Sequence, residues 1–355
     1  MAELLHAQET IDLVKSIQPN CLVNNRLGLP ADYGTPEQYI PGRKPQHLFE
    51  VCMTTNGHWG YNKYDDNWKS AETLVRNLAD IAGKGGNYLL NVGPTAEGVF
   101  PPAVVPILKE VGAWLAVNGE SIYGTGPGPF AKLPWGRCTA KPGRLYLHVF
   151  DWPKGALEVP GLTNKTGKAW LLSDPEKKPL AVERKSGDTV VITVPEAAPD
   201  KIDSVIVLEI EGEPNVVAMP IRADGDGRIV LLAGDAEIAG ETARLESRGR
   251  EENIGFWTDP ADRVGWRFEV GRPGTYRVAI RVACATGSEG AEYTVKVGGR
   301  LLSGKVASTG GWDKFVDVSL GEFTFEQAGV YALTVVPKNN PGGAVMNLAR
   351  ITLTP

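Results

Sequence analysis

From Ser70 to Pro94 the chain reads SAETLVRNLADIAGKGGNYLLNVGP, and this stretch sets the class of fold. Ser70 stands where a helix N-cap belongs, since its hydroxyl can accept one of the amide hydrogens that a helix start leaves unpaired. Leu74, Leu78 and Ile81 then recur at helical spacing and form one apolar face. Gly83, Gly85 and Gly86 end the helix, and Tyr88 to Val92 is a largely apolar run of strand length that turns out at Gly93-Pro94. Helix, glycine turn, apolar strand is the grammar of parallel βα units.

Working outward, the same grammar holds over the first 125 residues. Upstream, Gln8 to Ile17 has Ile11, Leu13, Val14 and Ile17 at helical spacing, with Pro19-Asn20 as the stop. Cys21-Leu22-Val23-Asn24 is predicted as a short strand, and the apolar run Leu48 to Met53 as another. Downstream, Pro101-Pro102 opens a helix with Val104, Leu108, Val111 and Leu115 in register, closed by Asn118-Gly119. At most four parallel strands can be found, against the eight of a closed barrel. Residues 1–125 are therefore expected to form a partial (β/α) barrel. Its open edges and apolar interior call for a second copy or for remodelling.

The remainder reads as all-β, making the whole a multi-domain chain of α/β plus all-β class. At 355 residues two to three domains are expected. From about Pro127 the pattern is period two with Gly and Pro turns, most clearly at Arg144 to Phe150, Lys168 to Leu172, Thr189 to Val194 and Ser204 to Ile210. Residues 126–212 are predicted to be an antiparallel β-sandwich. Glu211 to Ala223, with Gly212, Pro214 and Pro220, reads as a linker. Residues 224–355 alternate again, at Trp266 to Val270, Tyr276 to Val282, Tyr293 to Val297, Phe315 to Val318, Tyr331 to Val336 and Leu348 to Leu353, and read as a second, jelly-roll-like β-sandwich.

Composition excludes several function classes. Lys+Arg 37 against Asp+Glu 42 gives a net charge of -5, which argues against a nucleic-acid or anionic-membrane surface. No apolar run approaches the roughly 18 residues of a membrane span. The first residues lack the basic and apolar regions of a signal peptide, so the cytoplasm is the default compartment. Cys21, Cys52, Cys138 and Cys284 show no metal-ligand spacing and read as buried reduced thiols. His6, His47, His58 and His148 are equally dispersed. Neither a metal nor a cofactor is expected.

In a βα array the chemistry sits on loops leaving the C-terminal ends of strands. Here those loops carry Arg26, Asp32, Glu37, Trp59, Tyr61, Asp65, Asp66 and Asn91. Aromatic faces pack on the apolar side of a pyranose while charged and amide groups bond its hydroxyls, so this set suits sugar chemistry. From composition alone, the polar members serve equally to cap and solvate loops.

The order of the motifs adds more. Gln18-Pro-Asn-Cys-Leu-Val-Asn-Asn-Arg26, then Asp32-Tyr-Gly-Thr-Pro-Glu37-Gln-Tyr, then Glu50-Val-Cys-Met-Thr-Thr-Asn-Gly-His-Trp59-Gly-Tyr-Asn resemble successive barrel-loop motifs of the retaining α-L-fucosidases of glycoside hydrolase family 29. Gly85-Gly86-Asn87-Tyr-Leu-Leu-Asn91-Val-Gly-Pro and Asn118-Gly-Glu-Ser-Ile-Tyr123-Gly-Thr continue the likeness, which covers roughly residues 1–210. The resemblance implies hydrolysis or transfer of terminal α-L-fucose from glycoconjugates or aryl fucosides. It places Glu37 as general acid/base, which must carry a proton near neutral pH. It places Arg26 beside the sugar ring and Trp59 against the fucose methyl side. The family's nucleophilic aspartate lies on an earlier strand than any read here, so the nucleophile is left unassigned, with Asp32 and Glu50 the nearest carboxylates. The alternatives are an inactive carbohydrate-binding remnant or one half of a split enzyme. Relatives commonly meet their substrates outside the cytosol. The last segment resembles the jelly-roll carbohydrate-binding modules appended to glycosidases, with Trp257, Trp266 and Trp312 as candidate binding aromatics; Trp266, inside a period-two strand, reads as core.

Overall fold

The computed structural model describes residues 6–42, 44–45, 47–185, 189–248 and 251–355. Its contacts divide the chain into two compact units, Met1–Val217 and Ala218–Pro355. The break falls within 211–223, and the backbone is tied down on both sides of it. Val217 N–H donates to the Gly161 carbonyl in the first unit, and Ile221 N–H to the Arg267 carbonyl in the second.

In the first unit, helix α1 (Ala7–Ile17) precedes strand β1 (Glu50–Thr54), helix α2 (Ala71–Gly83), strand β2 (Asn87–Asn91) and helix α3 (Val104–Asn118). Ser70 caps α2 as expected, its hydroxyl accepting from Thr73 N–H. β1 and β2 pair in parallel, Cys52 opposite Leu89. Before β1, residues 34–38 run parallel to 48–52: Gly34 N–H donates to Leu48, Glu50 to Gly34, Cys52 to Pro36 and Gln38 to Cys52. No closed barrel forms among the described residues.

The predicted strand Cys21–Asn24 is a correction. It contributes one isolated bridge, Asn24 to Tyr33. Polar side chains take the donors a ladder would use: Val23 N–H goes to the Asp32 carboxylate, and Asn24 Oδ1 accepts from Arg26 N–H to start a 3₁₀ turn over Asn25–Leu27.

The next strands are β3 (Gly126–Pro127), β4 (Gly136–Lys141), β5 (Arg144–Val149), β6 (Ala156–Pro160), β7 (Thr166–Leu171), β8 (Val182–Arg184), β9 (Thr189–Thr193) and β10 (Ser204–Ile210). They form a five-stranded sheet, β3-β4-β5-β10-β7, and a three-stranded sheet, β6-β9-β8. Alternation sorts β5 and β10. Leu145, Leu147, Ile206 and Leu208 join the core with Leu157, Val159, Val190 and Ile192 of the small sheet. Tyr146, Val205 and Val207 point the other way, onto Val75 and Trp114 of the helices. On that helical face His148 and Asp203 are fully buried, with Nδ1 2.7 Å from Oδ2. Trp114 Nε1 donates to the Asp203 carbonyl, which ties α3 to the same corner.

In the second unit, strands β11 (Ile229–Leu232), β12 (Glu237–Ala239), β13 (Arg244–Arg248), β14 (Glu251–Gly255), β15 (Arg263–Val270), β16 (Gly274–Cys284), β17 (Glu292–Val297), β18 (Arg300–Lys305), β19 (Gly311–Phe325), β20 (Gly329–Pro337) and β21 (Asn347–Thr354) build two sheets. One runs β13-β14-β21-β16-β19 with β11 also on β21, the other β12-β15-β20-β17-β18. Both contribute to one apolar core, Phe268, Leu333 and Val335 from one sheet and Ile280, Phe323 and Ile351 from the other. Trp257, expected as a loop platform, is a core side chain only 1% exposed; Trp266 is core as its alternation implied, and Trp312 packs half-buried against the same cluster. A loop tryptophan beside Gly and Asp can fold inward as readily as outward, and here the larger apolar burial wins.

Two stability measurements follow. Asp203→Ala leaves His148 buried without its carboxylate, and urea unfolding of the first unit should register a loss of about 2–4 kcal/mol. Trp257→Ala should cost the second unit about 3–5 kcal/mol; an unchanged midpoint would return Trp257 to the surface.

Candidate functional site

The site is built by strand alternation. Along β1, Val51 and Met53 join Phe49 and Ile81 in a small core against α2. Glu50 and Cys52 therefore face the opposite side, where Leu89 sits beside Cys52 on β2. Gly86 is required at the turn into β2 because a Cβ there would stand 2.4 Å from the Phe49 ring.

On that opposite side lies a pocket of about 270 Å³ lined by Asn24, Arg26, Thr35, Glu37, Glu50, Cys52, Trp59 and Leu89. All three predicted site residues, Arg26, Glu37 and Trp59, converge on it. Arg26 leaves the 3₁₀ turn that Asn24 caps and Gly28 ends, the latter with φ 85°. Its Nη2 donates to Glu37 Oε2 at 2.8 Å, and the two side chains are 49% and 42% exposed. Thr35 Oγ1 donates to Asn25 Oδ1 at 2.8 Å, fixing the turn to the Glu37 segment. After Glu37, Gln38 takes φ 62°, and its Nε2 donates to Thr54 Oγ1.

Of the two other carboxylates weighed from sequence, only Glu50 lines the pocket. Asp32 Oδ2 accepts from Lys15 Nζ and Val23 N–H, both at 2.7 Å. The Lys15 hydrogen bond, then that of Val23, holds its carboxyl below the usual range. It braces α1 against the chain at Val23. Cys52 and Cys21 are half-buried, and only Cys138 and Cys284 are buried as the sequence reading had all four. Burial pushes the Cys52 thiol up; Arg26 opposes this, while Glu37 and Glu50 reinforce it. Cys52 is thus a neutral thiol at the pocket wall.

Trp59 is delivered by the loop after β1, whose organiser is Asp65. Asp65, one of the loop carboxylates named from sequence, is buried. Its Oδ2 accepts from Gly57 N–H at 2.8 Å and lies 2.7 Å from His58 Nδ1. Its Oδ1 accepts from Asn67 N–H at 3.0 Å and Asn67 Nδ2 at 3.3 Å. These bonds, His58 first and Asn67 N–H next, pull its carboxyl down to about 2 against the opposing effect of burial. Lys69 Nζ ties the loop base through the Thr54 and Asn56 carbonyls, and Asn91 Nδ2 holds the Trp59 carbonyl at 2.7 Å. The Asn and Gly density of 56–67 was the available signal for such side-chain-to-backbone turns.

Residues 2–120 match the family described as Alpha-L-fucosidase, and residues 230–355 match a domain of unknown function, DUF5077. The latter is not a described carbohydrate-binding family. The chain is 30% identical over 201 residues to the α-L-fucosidase of Dictyostelium discoideum, covering 52% of this chain and 43% of that one. It is 30% identical over 175 residues to human tissue α-L-fucosidase, covering 44% and 36%. It thus spans less than half the length of these curated relatives. Among solved structures, α-L-fucosidase isoenzyme 1 from Paenibacillus thiaminolyticus is 34% identical with a TM-score of 0.54, over 57% of this chain and 53% of that one. An α-L-fucosidase from Vibrio sp. strain EJY3 aligns over 98% of this chain and 63% of its own, TM-score 0.65 at 23% identity, a likeness of fold. Among the described residues no helix is long and apolar enough to cross a membrane, and no cluster of His, Cys, Asp or Glu suits a metal.

Because the folded-state value of Asp65 lies below its ordinary 3.8, its contribution is complete above that value and lost as pH falls through about 2. The amide resonances of Gly57 and Asn67 should accordingly titrate near 2 by NMR and lose that titration in Asp65→Asn. A midpoint at 3.8 would mean the carboxylate does not organise the loop.

Proposed function

We propose that the first unit carries part of the active site of a retaining glycosidase acting on terminal α-L-fucose, with Glu37 as general acid/base and Arg26 and Trp59 shaping the sugar pocket. The observation that carries this reading is the convergence of these three residues on one pocket, within the stretch that matches the fucosidase family. Trp59 offers an aromatic wall to the apolar edge of the sugar, and Arg26 and Asn24 offer donors to its hydroxyls.

Glu37 is half-exposed at the pocket mouth, where a leaving-group oxygen would arrive. Its contact with Arg26 is that of the base form, which suits the second half of a retaining reaction, when the same group activates water. To donate a proton in the first half, Glu37 would carry it on Oε1, the oxygen that Arg26 does not hold. A retaining reaction also needs a second carboxylate about 5–5.5 Å from the first. Among the described residues, Glu50 is the one other carboxylate lining this pocket; a chain segment or second polypeptide completing the barrel is the other source.

A specific observation favours completion. Leu13, Ile17, Leu22, Leu48 and Leu89 are all large, apolar and exposed, and α1 buries only Ala7. A surface of that kind calls for a cover. The partner in this reading is a second copy or a complementing N-terminal half, and without it the chain is a binding remnant.

The test is release of nitrophenol from 4-nitrophenyl α-L-fucoside by wild type, Glu37→Gln and Glu50→Gln. A working site predicts a loss of about 10²–10⁴ in rate for Glu37→Gln. A comparable loss for Glu50→Gln would make it the second carboxylate. No turnover by wild type, alone or mixed with the N-terminal half of a related fucosidase, would leave the binding remnant.

A further inference from the structure

Asp262 shows how the second unit satisfies a buried carboxylate. Its oxygens accept from the backbone N–H groups of Glu241, Thr242 and Ala243 and from the Thr242 hydroxyl. At Gly255, at the end of β14, acceptors gather on acceptors instead. A Cβ built on Gly255 would stand 2.1 Å from Glu246 Oε1 and 2.9 Å from Asn347 Oδ1, so both oxygens converge on the same bare stretch of backbone. The Asn347 amide is turned this way by its other end, since Nδ2 donates to the Trp312 carbonyl at 2.8 Å.

A third oxygen shares this face. Ile254 points into the core, so Asn253 and Gly255 lie on the other side of β14. The register sets Glu246 of β13 directly opposite Asn253, which puts the two side chains on one side of the sheet. Asn253 is fully buried, and its Oδ1 has no hydrogen-bond partner among the described residues. Its Nδ2 reaches only the Glu246 and Glu251 carbonyls, at 3.5 and 3.4 Å. A buried acceptor without a donor is destabilising, and a bound cation is one way to satisfy it. Arg244, directly opposite Gly255, is turned onto the Phe256 ring, its guanidinium 3.7 Å from the centroid.

We infer that Glu246, Asn253 and Asn347 form a binding site for a divalent cation, calcium. All three donors are oxygens, as a hard cation requires. Glu246 Oε1 and Asn347 Oδ1 stand no more than about 5 Å apart, within twice a calcium–oxygen distance of about 2.3–2.6 Å. Magnesium, with shorter bonds and a strict octahedron, suits donors spread over three strands less well. One carboxylate beside two amides keeps the affinity low, on the order of 10⁻⁴–10⁻³ M. The role follows from the place. Among the described residues, β14 and β21 are joined in register by a single pair, Ile254 and Leu348. A cation held by one residue each from β13, β14 and β21 ties the β13–β14 hairpin to the rest of its sheet at that seam.

The experiment uses the full chain, stripped with EDTA and titrated with calcium chloride and magnesium chloride by calorimetry, with circular dichroism as the check on folding. Wild type should bind one calcium in the range given, and magnesium about tenfold more weakly. Glu246→Gln, which keeps the shape and removes the charge, should weaken calcium about tenfold. Asn253→Asp adds a second carboxylate and should tighten calcium about tenfold, a gain that a misfolded chain would not show. Absence of saturable calcium binding to wild type below about 10 mM overturns the site. So does calcium binding that Glu246→Gln leaves unchanged, and so does magnesium binding of equal strength, which would mark diffuse attraction to an acidic surface. If Glu246→Gln does not fold, Asn253→Asp decides alone: tighter binding supports the site, and unchanged or weaker binding overturns it.

Discussion

The parallel register of three extended segments places the groups on the pocket wall. Glu37 is bridged to Cys52, and Cys52 stands opposite Leu89. In a parallel ladder successive side chains alternate between faces, so this register sends Val51 and Met53 to α2 and Glu50 and Cys52 to the pocket. A slip of one residue would put both valine and methionine into the pocket and two polar groups into the core. The apolar cluster of Phe49, Val51, Met53 and Ile81 is therefore what fixes the position of the catalytic candidates. The pocket wall in this unit is specified from behind, by packing on the face away from the pocket.

Two of the carboxylate pairs in the first unit illustrate different uses of the same contact. Arg26–Glu37 is about half-exposed, and pairs of that kind contribute on the order of 0–1 kcal/mol. It can be exchanged for other contacts at little cost to the fold, as the role proposed for Glu37 requires. His148–Asp203 is fully buried and hydrogen-bonded, so opening it leaves polar atoms stranded. It belongs to the scaffold. Asp65 is an intermediate case: a buried carboxylate that touches no pocket atom yet sets the shape of the loop carrying Trp59.

What could be read from the sequence was whatever depends on local periodicity. The Ser70 cap, the Leu74 and Ile81 face of α2, and strands such as Ser204–Ile210 follow from spacing alone, and the structure has them where spacing puts them. The convergence of Arg26, Glu37 and Trp59 was legible through motif order. Less legible was anything decided by where a side chain finds its partner. Cys21–Asn24 has strand-like composition, but the Asp32 carboxylate takes Val23 N–H and Asn24 turns the chain by accepting from Arg26 N–H. Asp65 looks like one of two adjacent surface charges until the loop folds around it. Trp257 sits among loop residues and still reaches the core.

The apolar surface of the first unit bears on how the pieces fit together. The second unit seals its core: Phe268, Phe323 and Ile351 are buried between its own sheets. The residues before β3 are different. α1 has a clear apolar face at Ile11, Leu13, Val14 and Ile17, yet none of these four is buried, and Leu89 on β2 is half-exposed beside the pocket. Helix amphipathicity is stabilising only when the apolar face meets another surface. The pocket is lined by Glu50 and Cys52 of β1 and by Leu89 of β2. A cover over these residues would bury apolar area and also wall in the pocket, excluding water from Glu37 and strengthening each polar contact there. Under the proposed reading, one cover would serve the apolar surface and the pocket together.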